Sequence, residues 1–175
     1  MTPAIECESR RTRLITAGRT APNRAVRFGG ARVALDPRGR RDVGELIGDV
    51  GDPTLLVCGP ERHVAESATV LGGGSRIDER LRSLDVGAWD GLAPDDVAPA
   101  DLGMWFTDPT SRPHGGETVA EFVRRIHSWR ASGPLPDVVV VAKPVAQALL
   151  CTDTDAYFAT EVRPATVYEL ATPIS

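Results

Sequence analysis

The sequence predicts an α/β protein, a three-layer α/β/α sandwich around a mostly parallel sheet. Two apolar runs, Thr54–Cys58 and Val138–Ala142, are unbroken, as is typical of strands buried on both faces. Each run is followed by a helical pattern. The 175 residues are 42% hydrophobic, which suffices to bury one core. We predict a polar N-terminal tail over residues 1–12 and a single domain over residues 13–175.

In the first part of the chain, Leu14–Ala17 is predicted to be a strand that ends at Gly18. Arg40–Ile47 is predicted to be a helix, because its apolar residues lie on one side. Thr54–Cys58 is the second strand. A helix follows it, with proline at residue 60 suiting the first turn and glycine at residue 72 suiting the end.

In the middle of the chain, Arg76–Leu84 is predicted to be a strand, and a short helix is predicted near Leu102–Phe106. The clearest helix runs from Thr118 to about Trp129. Thr118 and Glu121 form a T-x-x-E capping box at its start, and five apolar residues form one stripe along it.

The C-terminal part is predicted to begin with the strand Val138–Ala142. A helix opened by Pro144 follows and runs to about Leu150. Thr166–Leu170 is predicted to be the last strand. Strands and helices therefore alternate through much of the chain, which favours parallel pairing.

Composition narrows the functional classes. The net charge of −4 and the pI of about 5.4 argue against a nucleic-acid partner. Three cysteines without metal or redox spacing, and no secretory pattern at the start, predict a reducing, cytoplasmic setting. No apolar run reaches the roughly 20 residues of a membrane span. Three histidines without mutual spacing predict no metal site. No cofactor and no particular oligomeric state are predicted.

Ligands of such sheets bind outside the carboxyl ends of the strands. That rule selects three segments of this chain for the candidate site. They are Thr16–Gly18 after the first strand, Cys58–His63 after the second, and Lys143–Pro144 after the valine-rich strand. Helix N-termini also point toward this edge, which favours an anionic ligand.

Five short motifs occur in order on these elements. They are T-A-G-R-T-A-P-N (residues 16–23), P-E-R-H-V-A-E-S-A (60–68), L-R-S-L-D-V-G-A-W-D-G (81–91), W-F-T-D-P-T-S-R-P-H-G-G-E-T (105–118) and V-V-A-K-P (140–144). The order resembles that of the histidine phosphatase superfamily, with its phosphoglycerate-mutase-like fold. The family patterns are R-H-G-x-T-x-x-N, S-P-L-x-R-A-x-x-T-A, L-R-E-x-D-x-G-x-W-E-G, W-x-x-D-P…P-G-G-E-S and V-V-x-H-G. The resemblance covers nearly the whole chain.

The resemblance implies a set of catalytic positions. In the family a histidine accepts the phosphoryl group, two arginines and a second histidine bind its oxygens, and a carboxylic acid protonates the leaving oxygen. The nucleophile position is Ala17 here, and the arginine positions are Thr16 and His63. The acid position is Ser83 and the second histidine position is Lys143. No residue is therefore expected to be catalytic by the family mechanism.

From this substitution pattern we predict a degenerate member of the family that binds a small anionic ligand or a protein partner. The predicted ligand-binding residues are Arg19, Asn23, His63, Lys143 and Glu117. An alternative is an enzyme that uses Lys143 or His63 on a phosphorylated or carboxylated metabolite. An ordinary phosphatase or mutase is the third possibility.

Individual roles also have alternatives. Lys143 is either a base or Schiff-base nucleophile with a lowered pKa, or a structural cation that pairs with Glu117. Arg19 is either a ligand group at the mouth of the site or a solvated loop charge. His63 has no carboxylate at an evident spacing to orient it. His114 is expected at the rim of the site, and His127 is expected on the edge of the long helix with a structural role.

Overall fold

The computed structural model describes residues 11–20, 26–72 and 74–171. Within them five strands form one sheet in the order β3-β2-β4-β1-β5. All neighbouring strands are parallel except β5, which is antiparallel to β1. The predicted fold class is confirmed. The strands are β1 (Thr12–Thr16), β2 (Leu56–Cys58), β3 (Arg76–Ile77), β4 (Val138–Val141) and β5 (Val167–Leu170).

Six α-helices and three short 3₁₀ turns connect the strands in the described residues. The helices are α1 (Pro37–Gly44), α2 (Ile47–Val50), α3 (Arg62–Gly72), α4 (Pro99–Thr107), α5 (Val119–Ala131) and α6 (Lys143–Leu150). The 3₁₀ turns are Glu79–Leu81, Gly87–Trp89 and Pro94–Asp96. The predicted capping box at the start of α5 is present, since the Thr118 hydroxyl accepts the Glu121 N–H and the Glu121 carboxylate accepts the Thr118 N–H.

The sheet separates two apolar clusters, and strand β4 shows how. Val138 and Val140 pack in the cluster with α1, α2 and α3, whereas Val139 and Val141 pack in the cluster with α4, α5 and α6. All four valines are fully buried. Because alternate side chains point to opposite faces, an unbroken apolar strand needs a helix layer on each side.

Two predicted elements differ from the observed ones by more residues than the others do. The predicted strand Arg76–Leu84 is wrong beyond Ile77, because the Asp78 carboxylate accepts the Arg80 N–H and starts a 3₁₀ turn. The predicted helix Arg40–Ile47 begins earlier, at Pro37, where the Asp36 carboxylate accepts the Gly39 N–H. The apolar pattern missed this start because the capping aspartate lies outside the apolar stripe.

The division into a tail and one domain stays a prediction, although β1 already begins at Thr12. Among the described residues, no helix has both the length and the apolar character to cross a membrane.

Candidate functional site

The carboxyl ends of β2, β4 and β1 lie side by side. In the sheet register Cys58 is opposite Val140, and Thr16 is opposite Val141. The Ala17 N–H donates to the Val141 carbonyl at 2.9 Å. Strands in a sheet are about 4.8 Å apart, so the three segments that follow them share one edge. The structure thus brings together the three segments selected from the sequence.

Residues 16 and 17 are structural in this chain. The Thr16 side chain is fully buried, and its hydroxyl donates to the Arg163 carbonyl and accepts the Thr166 N–H. The Ala17 methyl is 6% exposed and packs in the apolar cluster on the α3 side of the sheet. Neither position can donate a proton to, or accept a phosphoryl group from, a ligand in its present bonding.

His63 lies in the first turn of α3 and is tied to the end of β1. The Ser67 hydroxyl accepts the Gly18 N–H at 3.1 Å and donates to the His63 carbonyl at 2.7 Å. A single hydroxyl therefore connects the residue after Ala17 with the backbone of His63. Ser67 is fully buried, which keeps this connection away from water.

The His63 ring is half-buried, and its Nδ1 is buried without a hydrogen-bond partner in the described residues. Burial lowers the pKa of this imidazole below its ordinary value, while the charges of Glu61 and Glu66 act in the opposite direction. The ring is therefore neutral at neutral pH, with a lone pair free on one nitrogen.

Lys143 is exposed and is the first residue of α6. No side chain caps this helix, because its N-cap residue is Ala142. The first N–H groups of an α-helix have no intrahelical partner, and the helix dipole favours an anion there. This helix start follows β4, the central strand of the edge, so it provides a cation and the backbone N–H groups of Lys143 and Val145, whereas Pro144 between them has none.

Two of the predicted ligand residues have other charged partners in the structure. Arg19 is half-exposed and lies 4.0 Å from the Asp42 carboxylate, so its charge is shared with α1. Glu117 accepts two hydrogen bonds from the Arg125 guanidinium, at 2.8 and 2.9 Å, rather than pairing with Lys143. That predicted pair is therefore wrong. Asn23 lies outside the described residues.

Glu61 is the site residue that the sequence interpretation missed. It is 4% exposed, and its Oε1 accepts the N–H of Ser83, the predicted acid position. Its Oε2 is buried without a partner in the described residues. A signal was present, since a glutamate stands where the family motif has the apolar leucine of S-P-L. The structure places a carboxyl group close to the segment that has lost one.

The other two histidines have structural surroundings. His114 is buried, packs edge-on against Trp89 with ring centroids 5.0 Å apart, and accepts the Gly116 N–H at its Nδ1. The pKa of His114 is lowered chiefly by burial. The ring of His127 is 2.8 Å from the Ala148 carbonyl, between α5 and α6.

Neither of two cavities found elsewhere involves the strand edge. The larger, about 550 Å³, lies between α5 and the segment after α6 and is lined by residues such as Arg124 and Asp153. The second, about 190 Å³, lies beside β3. Among the described residues no three histidine, cysteine or acidic side chains cluster as metal ligands would.

A model of the histidine phosphatase superfamily, branch 1, matches residues 14–170. This chain belongs to the histidine phosphatase superfamily. A glucosyl-3-phosphoglycerate phosphatase of Mycolicibacterium vanbaalenii is 34% identical over 108 residues, which are 51% of this chain and 48% of that protein. The protein of the same name in Mycobacterium tuberculosis strain H37Rv is 32% identical over 99 residues, 53% of this chain and 42% of that protein. This histidine phosphatase superfamily member thus spans about half the length of the curated relatives that it matches.

Solved structures agree with the family. A mycobacterial glucosyl-3-phosphoglycerate phosphatase superposes with a TM-score of 0.74 and 26% identity, over 91% of this chain and 89% of that one. Its complex with VO3 has a TM-score of 0.73 and 30% identity, over 91% and 92% of the two chains.

These comparisons correct the predicted function. The prediction of a degenerate protein with only a binding role was wrong, because the relatives in sequence and structure are named as phosphatases. The error lay in the step from residues to activity. An alanine at residue 17 excludes a phosphohistidine at that residue, but it does not exclude hydrolysis by attack of water.

Proposed function

We propose that this chain is a phosphatase that hydrolyses a phosphomonoester of a small acidic metabolite, such as a glycosylated phosphoglycerate. The names of the mycobacterial relatives support the class of reaction and of substrate. The observation that carries the proposal for this chain is the edge at β2, β4 and β1. It combines a helix start without a side-chain cap, Lys143 and the neutral imidazole of His63.

The phosphate group binds at the start of α6 in this proposal. Lys143 supplies a positive charge, and the uncapped backbone N–H groups of Lys143 and Val145 supply donors, since Pro144 has no N–H. The N-terminus of α3 follows the neighbouring strand β2, so its dipole also favours negative charge at this edge. A phosphomonoester dianion is the kind of ligand that such a combination binds.

Water is the nucleophile, because the Ala17 methyl has no lone pair. The neutral His63 imidazole takes a proton from a water molecule as its oxygen attacks phosphorus. A new P–O bond forms, and the P–O bond to the substrate alcohol breaks. The leaving oxygen is on the opposite side of phosphorus and takes a proton from solvent, and the imidazolium releases its proton to solvent, so the products are the free alcohol and inorganic phosphate. General base catalysis of this kind contributes roughly 10²–10⁴-fold to a rate.

The experiment is phosphate release by the purified chain from glucosyl-3-phosphoglycerate and from p-nitrophenyl phosphate. We expect turnover of the first, and we expect His63→Ala to lower kcat by about 10²–10⁴-fold. The matched control is His127→Gln, whose site lies between α5 and α6 and whose amide can still donate to the Ala148 carbonyl. Absence of phosphate release from every phosphomonoester tested would contradict the proposal.

The pH profile of the wild-type protein tests His63 as a general base without a substitution that could disturb folding. A general base acts in its unprotonated form, so kcat/KM should rise with pH through the pKa of His63 and then level off. Burial places that pKa below the ordinary histidine value of 6.5, so the rise should occur in the acidic range. A profile that still rises above neutral pH would assign the base role to another group.

A further inference from the structure

Four buried side-chain atoms lack a hydrogen-bond partner within the part of the chain that the structure describes, and two of them belong to Glu61 and His63. The atoms are Glu61 Oε2, a hydrogen-bond acceptor when ionised, and His63 Nδ1, a donor when it carries the ring proton. Buried polar groups are normally hydrogen-bonded, so two complementary ones two residues apart require an explanation.

Contacts within and around the loop between β2 and α3 hold the Glu61 carboxylate in place. A Cβ on Gly59 would lie 2.8 Å from Glu61 Oε2, so a side chain at Gly59 would displace this oxygen. The Ser83 N–H holds the other oxygen, and the Glu61 carbonyl accepts the N–H groups of Val64 and Ala65. Glu61 is therefore fixed at both its backbone and its side chain, at the start of the helix that carries His63.

We propose that Glu61 is the positioning residue of His63: its free oxygen accepts Nδ1–H of the ring through one bridging water molecule, and this leaves the lone pair on Nε2. A carboxylate that receives one imidazole N–H fixes the tautomer and stabilises the imidazolium that forms when the other nitrogen takes a proton. The inference rests on the proposed function, in which Nε2 is the atom that accepts the proton of water.

A second carboxylate, Glu66, also acts on the charge of His63 but does not qualify for this role. Its Oε2 accepts the Leu35 N–H at 2.7 Å, and its Oε1 accepts the Arg62 guanidinium N–H at 3.0 Å. Both oxygens of Glu66 are therefore engaged, and its charge is offset by Arg62. Glu61 and Glu66 are the charges that raise the pKa of His63 against the effect of burial.

The test is the tautomer of each histidine, read from ¹⁵N chemical shifts of the wild-type protein above the pKa of the rings. We expect His63 to carry its proton on Nδ1. His114 provides an internal reference of the opposite kind, because its Nδ1 accepts the Gly116 N–H and its proton must be on Nε2. If the ¹⁵N shifts of the wild-type protein show the His63 proton on Nε2, the proposal is overturned, and no variant is needed for that conclusion.

Two matched variants, Glu61→Gln and Glu66→Gln, extend the test. In Glu61→Gln we expect a mixture of His63 tautomers, a lower titration midpoint of His63, and a kcat lower by about a hundredfold with little change in KM. The acid limb of the pH profile should move to lower pH with that midpoint. Glu66→Gln should leave the tautomer unchanged. A His63 tautomer that is the same in Glu61→Gln as in the wild type would refute the pairing.

The two proposals fail in different ways. If no phosphomonoester is hydrolysed, the proposed function fails, while the tautomer measurement still tests the pair. If hydrolysis occurs and depends on His63 but Glu61→Gln has full activity and an unchanged acid limb, the pairing fails and the proposed function stands.

Discussion

Two carboxylates that are linked to residues 80–83 have different hydrogen-bond surroundings. Glu117 precedes α5, and both of its oxygens accept hydrogen bonds from Arg125. Arg125 in turn donates to the carbonyls of Arg80 and Arg82. Glu61 precedes α3 and has one oxygen on a backbone N–H, whereas the other has no partner among the described residues. Both oxygens of Glu117 are thus hydrogen-bonded within a network, whereas only one oxygen of Glu61 is hydrogen-bonded to the described residues.

The difference separates a structural role from a chemical one. A carboxylate whose oxygens are all engaged holds segments of the chain together, as Glu117 and Arg125 join α5 to residues 80–82. A buried carboxylate with a free oxygen costs free energy of folding and can exchange a hydrogen bond or a proton with a neighbour. Substitution is therefore expected to destabilise the Glu117 network more than the Glu61 network.

The largest expected effect is the loss of the Arg125 guanidinium. The side chains of Arg125 and Glu117 are 21% and 14% exposed, so Arg125→Ala leaves a mostly buried carboxylate and two carbonyls without donors. We expect the free energy of unfolding to fall by about 3 kcal/mol, measured by urea denaturation. The matched control is Arg124→Ala, an exposed position on the same helix, which should change it by less than about 0.5 kcal/mol. Equal losses in both variants would show that the network does not stabilise the fold.

A smaller effect on stability is expected when each of the two glutamates is replaced by glutamine in a separate variant. Glu117→Gln removes the charge that Arg125 binds and should cost about 2 kcal/mol of unfolding free energy. Glu61→Gln keeps an oxygen for the Ser83 N–H and removes an incompletely paired buried charge, so its unfolding free energy should stay within about 1 kcal/mol of the wild type. If Glu61→Gln is the more destabilised of the two, the distinction between the networks is wrong.

The smallest expected effect is on the pH dependence of stability. Burial lowers the pKa of His63 and of His114 in the folded state, so the unfolded chain binds protons first as the pH falls. Their contribution to stability is complete above the unfolded pKa of about 6.5 and is lost as the pH falls below it. Urea midpoints measured between neutral and mildly acidic pH should therefore decrease, and less steeply in His114→Gln. An identical slope in that variant would show that His114 is not buried in its neutral form.

Much of the fold followed from local sequence patterns. The unbroken valines of β4, the capping box of α5 and the order of the five motifs predicted the sheet, the helix layers and the edge that carries the candidate site. The strand over residues 76–84 was mispredicted because a single side chain, Asp78, ended it with a turn. The binding-only function was mispredicted because the loss of family residues was taken to mean the loss of activity, whereas the relatives in sequence and structure are named as phosphatases.

The sequence by itself determined the family, the succession of strands and helices, and the absence of an imidazole at residue 17, since each depends on residue identity or on patterns within a few residues. Only the tertiary structure decided which charges are paired. Arg19 with Asp42, Glu117 with Arg125, and Glu61 with the Ser83 N–H are contacts made across turns and between elements. Whether a buried carboxylate is satisfied depends on which backbone and side-chain donors the packed chain brings to it, and no local pattern encodes that.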